Sequence, residues 1–383
     1  MALHFTREEF AARRQAACAA LKARGLDGLL IFRQESMFYL TGYDTFGYVF
    51  FQCLYLDADG AFVLLTRAPD LRQAQHTSII EDIRIWVDRP DANPALELRA
   101  ILDAKHCRGQ RLGVEYDSYG LTARNGKRLE SALEGFCTLV DASDLVSRLR
   151  LVKSPAEIVY VREAAALADR ALDEAHRLAG PGAEESEILA AMQSAVIRGG
   201  GDDPANEFII GSGADALLCR YKTGRRHLSA EDQLTLEFAG TYRHYHAALM
   251  RTIAIGTVDP RLRDMHSAAQ DALFAAEAAL KPGNPIGQVF DAHARTLDAR
   301  GYRHARLNAC GYGMGTTFAP NWMDWPMFYT GNPVEAEPGM VFFIHIILFD
   351  ADTGIAMSLG RSSVVGSRQA ECLSAASVDL VVK

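Results

Sequence analysis

Apolar and polar positions over the first 150 residues alternate between a helical period and a strand period. An amphipathic stretch at residues 6–25 precedes the apolar run 28–32, which is short enough to form a buried strand. Further β-rich runs cover residues 48–56, 61–65 and 112–116, and a helical pattern covers 121–133. This alternation predicts a layered α/β domain over residues 1–150.

A strong helix start marks the beginning of the second part of the chain. Ser154 is suited to cap a helix, Pro155 fits its first position, and Glu157 completes a capping box three residues after the cap. Apolar residues then recur at helical spacing until Gly180-Pro181-Gly182 ends the pattern. A second helix is predicted over residues 185–198. We therefore place a domain boundary near residue 150.

The same order of elements then occurs twice. Strand patterns at residues 207–211, 233–239 and 245–255 follow the first helix pair. A second helix pair at 263–280 and 285–300 is followed by strand patterns at 340–349 and 362–365. Two helices followed by strands, twice over, predict an internal duplication of one unit within residues 151–383.

The composition narrows the classes of protein that remain possible. Apolar residues make up 49% of the chain, and 40 Lys and Arg stand against 48 Asp and Glu, a formal charge of −8. An acidic chain without a Lys/Arg-rich run is a poor candidate for binding nucleic acid or an anionic membrane. The N-terminal segment is unlike a signal peptide, and the seven cysteines form no CxxC pair. We expect a cytoplasmic protein with a small-molecule substrate.

Several sequence blocks resemble the pita-bread family, which includes creatinase, Xaa-Pro peptidases, methionine aminopeptidases and ectoine hydrolase. Residues 234–252 are similar to that family's first metal-binding strand pair, and residues 210–215, 311–315 and 337–342 are similar to later blocks. Residues 39–43 resemble a short turn of its N-terminal domain. The resemblance implies a creatinase-like α/β domain at 1–150, a pita-bread α+β catalytic domain at 151–383, and a homodimer.

The positions that hold metal in many members of this family are substituted here. In metal-dependent members, two Asp, one His and two Glu side chains bind two divalent ions. In the same order, this chain has Glu237, Ala248, Tyr312, His345 and Gly360. One carboxylate, one imidazole and one phenol do not supply the anionic oxygens that two hard cations require. We therefore predict no metal and no other cofactor.

Metal-free members of the family offer two precedents for the chemistry. The working groups of creatinase are replaced here by Arg220, Met250 and His345, which argues against creatine as substrate. The ectoine hydrolase motif is better matched, by the residues Glu237, Ala239, Gly240, Tyr242, Arg243, Tyr245 and His246. This resemblance implies that Glu237 attacks the carbon of a cyclic amidine and forms a covalent intermediate that water releases.

The candidate site residues follow from these matches. The catalytic candidates are Glu237, His246 and His345, and the substrate-binding candidates are Arg220, Tyr312, Trp322 and Tyr48. Ectoine hydrolase has a His at the position of Arg220. Because a guanidinium does not act as a base at neutral pH, we interpret Arg220 as a clamp for a substrate carboxylate.

Structural interpretations stay open for several of these side chains. Glu237 lies in an apolar strand, where a structural ion pair with Arg251 or Arg243 would also explain a buried carboxylate. His345 also fits a core histidine, and Trp322 also fits an anchor of its loop.

The sequence thus predicts a metal-independent hydrolase that cleaves a C–N bond of a small zwitterionic compound, with Glu237 as nucleophile. A metal-dependent Xaa-Pro peptidase is one alternative. A binding protein that has lost catalysis but kept the fold is the other.

Overall fold

The computed structural model describes residues 3–218, 220 and 224–383, which divide into two units, Met1–Arg150 and Leu151–Lys383. The helices of the first unit are α1 (Arg7–Ala23), α2 (Gln34–Thr41), α3 (Ala68–Thr77), α4 (Pro94–Ala104), α5 (Ala123–Leu133) and α6 (Leu145–Leu149). Its strands are β1 (Gly28–Ile31), β2 (Cys53–Asp57), β3 (Phe62–Arg67), β4 (Asp82–Trp86), β5 (Arg111–Val114) and β6 (Thr138–Asp141).

The sheet of the first unit has apolar residues on both faces. Its strand order is β4-β3-β2-β1-β5-β6, with β1 antiparallel to β2 and parallel to β5. Successive side chains of a strand point to opposite faces, so Leu29 and Leu30 enter two different core clusters. An apolar run without polar alternation is what such a doubly covered strand requires. The predicted α/β layer domain is confirmed.

Two details of this unit differ from the sequence prediction. Residues 48–56 were expected to be β-rich throughout, but Tyr48 lies in a 3₁₀ turn, Gly47–Val49, and the strand begins only at Cys53. The Thr45 hydroxyl accepts the Gly47 N–H, which satisfies the backbone locally before the strand begins. Residues 39–43 form the end of α2, where Gly42 has φ of +81° at the C-cap.

The second unit repeats one arrangement of helices and strands. Its first half contains α7 (Pro155–Leu178), α8 (Glu185–Arg198), β7 (Ile209–Ser212), β8 (Asp232–Tyr242) and β9 (Tyr245–Ile255). Its second half contains α9 (Pro260–Ala279), α10 (Gly287–Ala299), β10 (Gly311–Gly313), β11 (Asp324–Met327), β12 (Val341–Asp350) and β13 (Ile355–Val365). The short strands β14 (Ala370–Cys372) and β15 (Val381–Val382) follow. The capping box of Ser154 and Glu157 is present at the start of α7.

One curved sheet joins the two halves. Within the described residues its strand order is β11-β10-β12-β13-β9-β8-β7, with β14 beside β13 and β15 beside β9. The two halves meet where β13 pairs with β9. Apolar residues of α9 and α10 pack in a core cluster with Phe342, Ile344 and Ile346 of β12, which leaves the alternate residues of that strand on the other face. The predicted pita-bread fold with internal duplication is confirmed.

Across the described ranges, no helix combines the length and the apolar character needed to cross a membrane.

Candidate active site

Four adjacent strands place four residues at the same level of the curved sheet. Glu237 of β8 pairs with Met250 of β9, Met250 pairs with Gly360 of β13, and Gly360 pairs with His345 of β12. Directly opposite residues of antiparallel strands share a face. Tyr312 of β10 pairs with Phe343, which lies two residues before His345 and therefore on the same face. The register thus collects Glu237, His345 and Tyr312 on the face opposite to α9 and α10.

A chain of hydrogen bonds ends on the Glu237 carboxylate. The Trp322 indole N–H donates to the Tyr312 hydroxyl oxygen over 2.9 Å. The Tyr312 hydroxyl lies 3.3 Å from Glu237 Oε1 and donates to it. Because an indole N–H is a donor only, it leaves the phenol proton for the carboxylate. The direction of the chain is therefore fixed, from Trp322 through Tyr312 to Glu237.

The surroundings of Glu237 raise the pKa of its carboxyl group above the usual value. Burial raises the pKa of its carboxyl from 4.5 to about 7, and the Tyr312 hydroxyl and the Arg220 charge offset part of this rise. The side chain is nonetheless partly exposed. Burial and the Glu237 charge raise the pKa of Tyr312 well above its usual value, so Tyr312 stays a phenol. Near neutral pH the site therefore holds a carboxyl close to half ionised and a protonated hydroxyl donor.

His345 presents a nitrogen that is not used within the described residues. The side chain is 7% exposed, its Nδ1 has no hydrogen-bond partner there, and its ring centroid lies 5.7 Å from that of Tyr312. Burial, helped by His293, lowers the pKa of the imidazole to about 3. His345 is therefore neutral, and its buried Nδ1 has hydrogen-bonding capacity that the described residues do not use.

Arg220 is exposed and acts on the site electrostatically. Its positive charge lowers the pKa of both Glu237 and His345. Cys219 and Tyr221, which flank it in the sequence, lie outside the described residues. The position of Arg220 agrees with a cation at the rim of the site.

His246 has protein partners at both ring nitrogens. It is fully buried and pairs with Thr241 across the β8–β9 ladder. Its Nε2 accepts the Ala205 backbone N–H over 2.9 Å, and its Nδ1 lies 3.1 Å from the Thr317 hydroxyl. Burial lowers the pKa of this imidazole to about 3. Both ring nitrogens are thus used by the protein itself.

Trp322 and Tyr48, which the sequence suggested as substrate contacts, are both buried. Trp322 is 1% exposed, and its indole N–H donates to the Tyr312 hydroxyl, so it contacts the site through Tyr312. Tyr48 belongs to the first unit, where it is 8% exposed and burial raises its pKa. A role for Tyr48 in substrate binding stays a prediction.

The arginines that the sequence offered as structural partners of Glu237 have other contacts. Arg251 donates to the backbone carbonyls of Met250, Gly360 and Ser377. It also follows Met250 along β9 and therefore points to the face opposite Glu237. The Arg243 guanidinium lies over the Tyr160 ring, 4.8 Å from its centroid.

The donor set does not fit a dinuclear metal site. At the level of Glu237, Met250 and Gly360 contribute no charged ligand. A Cβ on Gly360 would lie 2.8 Å from the Ile344 carbonyl oxygen and 3.0 Å from Phe343 Cε2, so a ligating side chain does not fit there without rearrangement. In the described part of the chain, no group of three or more His, Cys, Asp or Glu side chains is arranged to hold a metal ion.

Sequence patterns did not indicate the residues outside the strands that hold the site in place. Ala205 and Thr317 bind the two nitrogens of His246, and Asn206 Oδ1 accepts the Trp322 backbone N–H over 3.2 Å. All lie in irregular segments far apart in sequence. Only Trp322, a substrate-binding candidate from the sequence, pointed near one of them.

A pita-bread unit after a creatinase-type α/β unit, with a carboxyl on strand β8 of the curved sheet, defines a class of hydrolases. The chain belongs to the metallopeptidase family M24, which its residues 159–367 match. Residues 13–152 match the creatinase/prolidase N-terminal domain. It is therefore a hydrolase of the M24 family.

Relatives of this chain carry names of two kinds. It is 28% identical to the ectoine hydrolase of Halomonas elongata over 375 residues, covering 94% of each chain. It is also 28% identical to an uncharacterized hydrolase/peptidase, y4tM, of Sinorhizobium fredii, covering 100% of this chain and 99% of the relative. Among solved structures, the dipeptidase PepE of Mycobacterium ulcerans matches with a TM-score of 0.85 and 26% identity, covering 99% of each chain.

Proposed function

We propose that this protein hydrolyses a C–N bond of a small zwitterionic substrate without a metal ion, and that a cyclic amidine of the ectoine type is that substrate. The observation that carries the proposal is the Trp322–Tyr312–Glu237 chain, which directs a phenol proton at a carboxylate that ionises near pH 7. A partly desolvated carboxylate of this kind is a competent nucleophile toward an amidinium carbon.

In the proposed first step, Glu237 adds to the amidinium carbon and forms a C–O bond. One ring nitrogen then leaves as an amine, which breaks its C–N bond and opens the ring. Water adds to the same carbon, Glu237 leaves as a carboxylate, and the carbon becomes the carbonyl of an amide on the other nitrogen. The sum of these steps consumes one water and leaves an acetyl-diamino acid from ectoine.

His345 is the proposed proton-transfer group. Its Nδ1 is without a partner among the described residues, whereas both nitrogens of His246 are used. A substrate carboxylate bound nearby would raise its pKa from about 3 toward neutrality, because a negative charge stabilises imidazolium. His345 would then give a proton to the leaving nitrogen and, in the later step, accept one from the attacking water.

Arg220 is the proposed clamp for the substrate carboxylate, and the amidinium would lie against Glu237. A zwitterionic substrate matches these two charges, the positive charge of Arg220 at the rim and the negative charge of Glu237 inside the site. The ectoine hydrolase relative supports this substrate class. The homodimer, the cytoplasmic location and the domain roles stay predictions.

The test is proton NMR of the EDTA-treated protein mixed separately with ectoine, creatine and Gly-Pro. We expect new acetyl-diamino acid signals from ectoine alone. Three unchanged substrates would eliminate ectoine as the substrate. Cleavage of Gly-Pro that depends on added Mn²⁺ would favour the Xaa-Pro peptidase alternative, to which the dipeptidase structure points. Saturable binding of ectoine without turnover would favour the catalytically inactive alternative.

A further inference from the structure

His246 has a fixed tautomer that the protein itself determines. A backbone N–H has no lone pair, so the Ala205 N–H can only donate, and His246 Nε2 must carry no proton. The single proton of the neutral ring is then on Nδ1, where it is donated to the Thr317 hydroxyl. The side chain is 0% exposed, and its pKa of about 3 keeps it neutral at the pH where Glu237 ionises. The imidazole therefore has no free nitrogen with which to exchange a proton with a substrate.

The two partners of His246 belong to the two segments that hold Trp322. Ala205 is followed by Asn206, whose side-chain oxygen accepts the Trp322 backbone N–H. Thr317 lies five residues before Trp322 in the other segment. The His246 backbone N–H also donates to the Gly315 carbonyl over 3.0 Å. His246 thus connects the segment 199–208 to the segment 314–322.

The turn that precedes His246 adds a second attachment to the same segment. Arg243 and His244 both have positive φ, +49° and +65°, an unusual conformation for residues other than glycine. The His244 carbonyl accepts the Thr317 N–H over 3.1 Å, and the His244 ring stacks on Phe318 at 4.2 Å. The strained turn and His246 therefore bind adjacent residues of one segment.

We infer that His246 is a positioning residue, which ties the segments 199–208 and 314–322 together so that Trp322 keeps its indole N–H on the Tyr312 hydroxyl. Without this connection, the Trp322 indole N–H no longer donates to the Tyr312 oxygen. The Tyr312 hydroxyl proton is then no longer held toward Glu237. The inference rests on the proposed function only for its effect on turnover. The position of Trp322 is measurable by itself.

The experiment compares two replacements of His246. His246→Gln offers one acceptor and one donor in a planar group, whereas His246→Leu offers neither at similar volume. We expect His246→Gln to keep kcat within about 3-fold, and His246→Leu to lose kcat by roughly 100-fold with KM nearly unchanged. In a background with Trp86→Phe and Trp325→Phe, the fluorescence of Trp322 should shift in His246→Leu and stay in His246→Gln.

Two further variants separate this role from others. Thr317→Val keeps the imidazole but removes its Nδ1 partner, and it should lower kcat about 10-fold with the same Trp322 shift. His266→Leu is the matched control, because it removes a buried imidazole of α9 that hydrogen-bonds to the Val378 carbonyl. It should leave kcat and the Trp322 signal unchanged.

A proton-transfer role predicts a different pattern, which would overturn the inference. His246→Gln would then be as inactive as His246→Leu although its Trp322 fluorescence stayed native. An unshifted Trp322 signal in both His246→Leu and Thr317→Val would also overturn it. If the wild type does not convert ectoine, the fluorescence arm still decides the positioning role, and only the proposed substrate is lost.

Discussion

The Tyr312 hydroxyl donates to Glu237 Oε1, although the two residues lie 75 positions apart in the sequence. The indole N–H of Trp322 donates a hydrogen bond to the same Tyr312 hydroxyl oxygen. Burial nevertheless dominates and holds the pKa of Glu237 near 7. Ionisation of Glu237 therefore lowers the stability of the folded protein and produces the reactive form of the carboxyl group. Four predictions test this account and the roles of the surrounding residues.

Glu237→Gln should abolish turnover and stabilise the protein at alkaline pH. The folded-state pKa of Glu237 is raised from 4.5 to about 7, so the stability that this shift contributes is present below pH 4.5 and is lost as pH rises through 7. A neutral Gln avoids that loss and still accepts the Tyr312 hydrogen bond. We expect a gain of about 2 kcal/mol at pH 8 and little change at pH 4.5.

Urea unfolding at the two pH values measures this difference. Glu231→Gln, at an exposed residue just before β8, is the control and should change neither activity nor the pH dependence. An active Glu237→Gln variant would contradict the role of Glu237 as nucleophile. A variant destabilised equally at both pH values would contradict the claim that the buried carboxylate lowers stability at alkaline pH.

The rate should depend on pH through Glu237, and Tyr312→Phe should displace that dependence. In the wild type, kcat/KM should rise about tenfold per pH unit below pH 7 and level off above it, because the carboxylate is the reactive form. The Tyr312 hydrogen bond lowers the pKa of Glu237, so its removal in Tyr312→Phe should move the midpoint to higher pH.

Profiles of kcat/KM from pH 5 to 9 check both statements. Tyr302→Phe is the matched control, because Tyr302 donates to Asp264 on α9 instead. Its midpoint should equal that of the wild type. A Tyr312→Phe midpoint at lower pH, or a wild-type rate that falls as pH rises through 7, would be incompatible with an attacking carboxylate.

The sequence was sufficient for the fold, and it pointed to three residues that the structure brings together. The family resemblance pointed to Glu237, Tyr312 and His345, and strand register places these three on one face of the sheet. The hydrogen bonds of His246 to Ala205 and of Trp322 to Tyr312 were not predictable, since no local pattern encodes them. Helices α2, α3, α4 and α6 were missed because short helices on a sheet carry little periodic signal.

Arg220→Gln should weaken binding of substrates that carry a carboxylate. A guanidinium bonded to a carboxylate is worth more than a neutral hydrogen bond, so we expect KM to rise roughly 10- to 100-fold while kcat changes less. An analogue of the substrate without its carboxylate should show no such difference between the variant and the wild type. Arg225→Gln, at another exposed arginine, is the control. An equal rise in KM for the substrate and for the analogue without a carboxylate would show that Arg220 has a structural role.

Gly360→Ala should destabilise the protein and impair the site, because the glycine is required for packing. The added Cβ would lie 2.8 Å from the Ile344 carbonyl oxygen, which belongs to the sheet backbone, and 3.0 Å from the Phe343 ring. Strands β12 and β13 must shift to relieve this contact, and His345 pairs directly with Gly360. We expect a loss of about 2 kcal/mol and a lower kcat. Gly126→Ala in α5 is the control, since its Cβ meets nothing within 4 Å and helix propensity favours alanine. A Gly360→Ala variant as stable and active as the wild type would mean that the position has room for a side chain, and the absence of a metal ligand there would then need another explanation than packing.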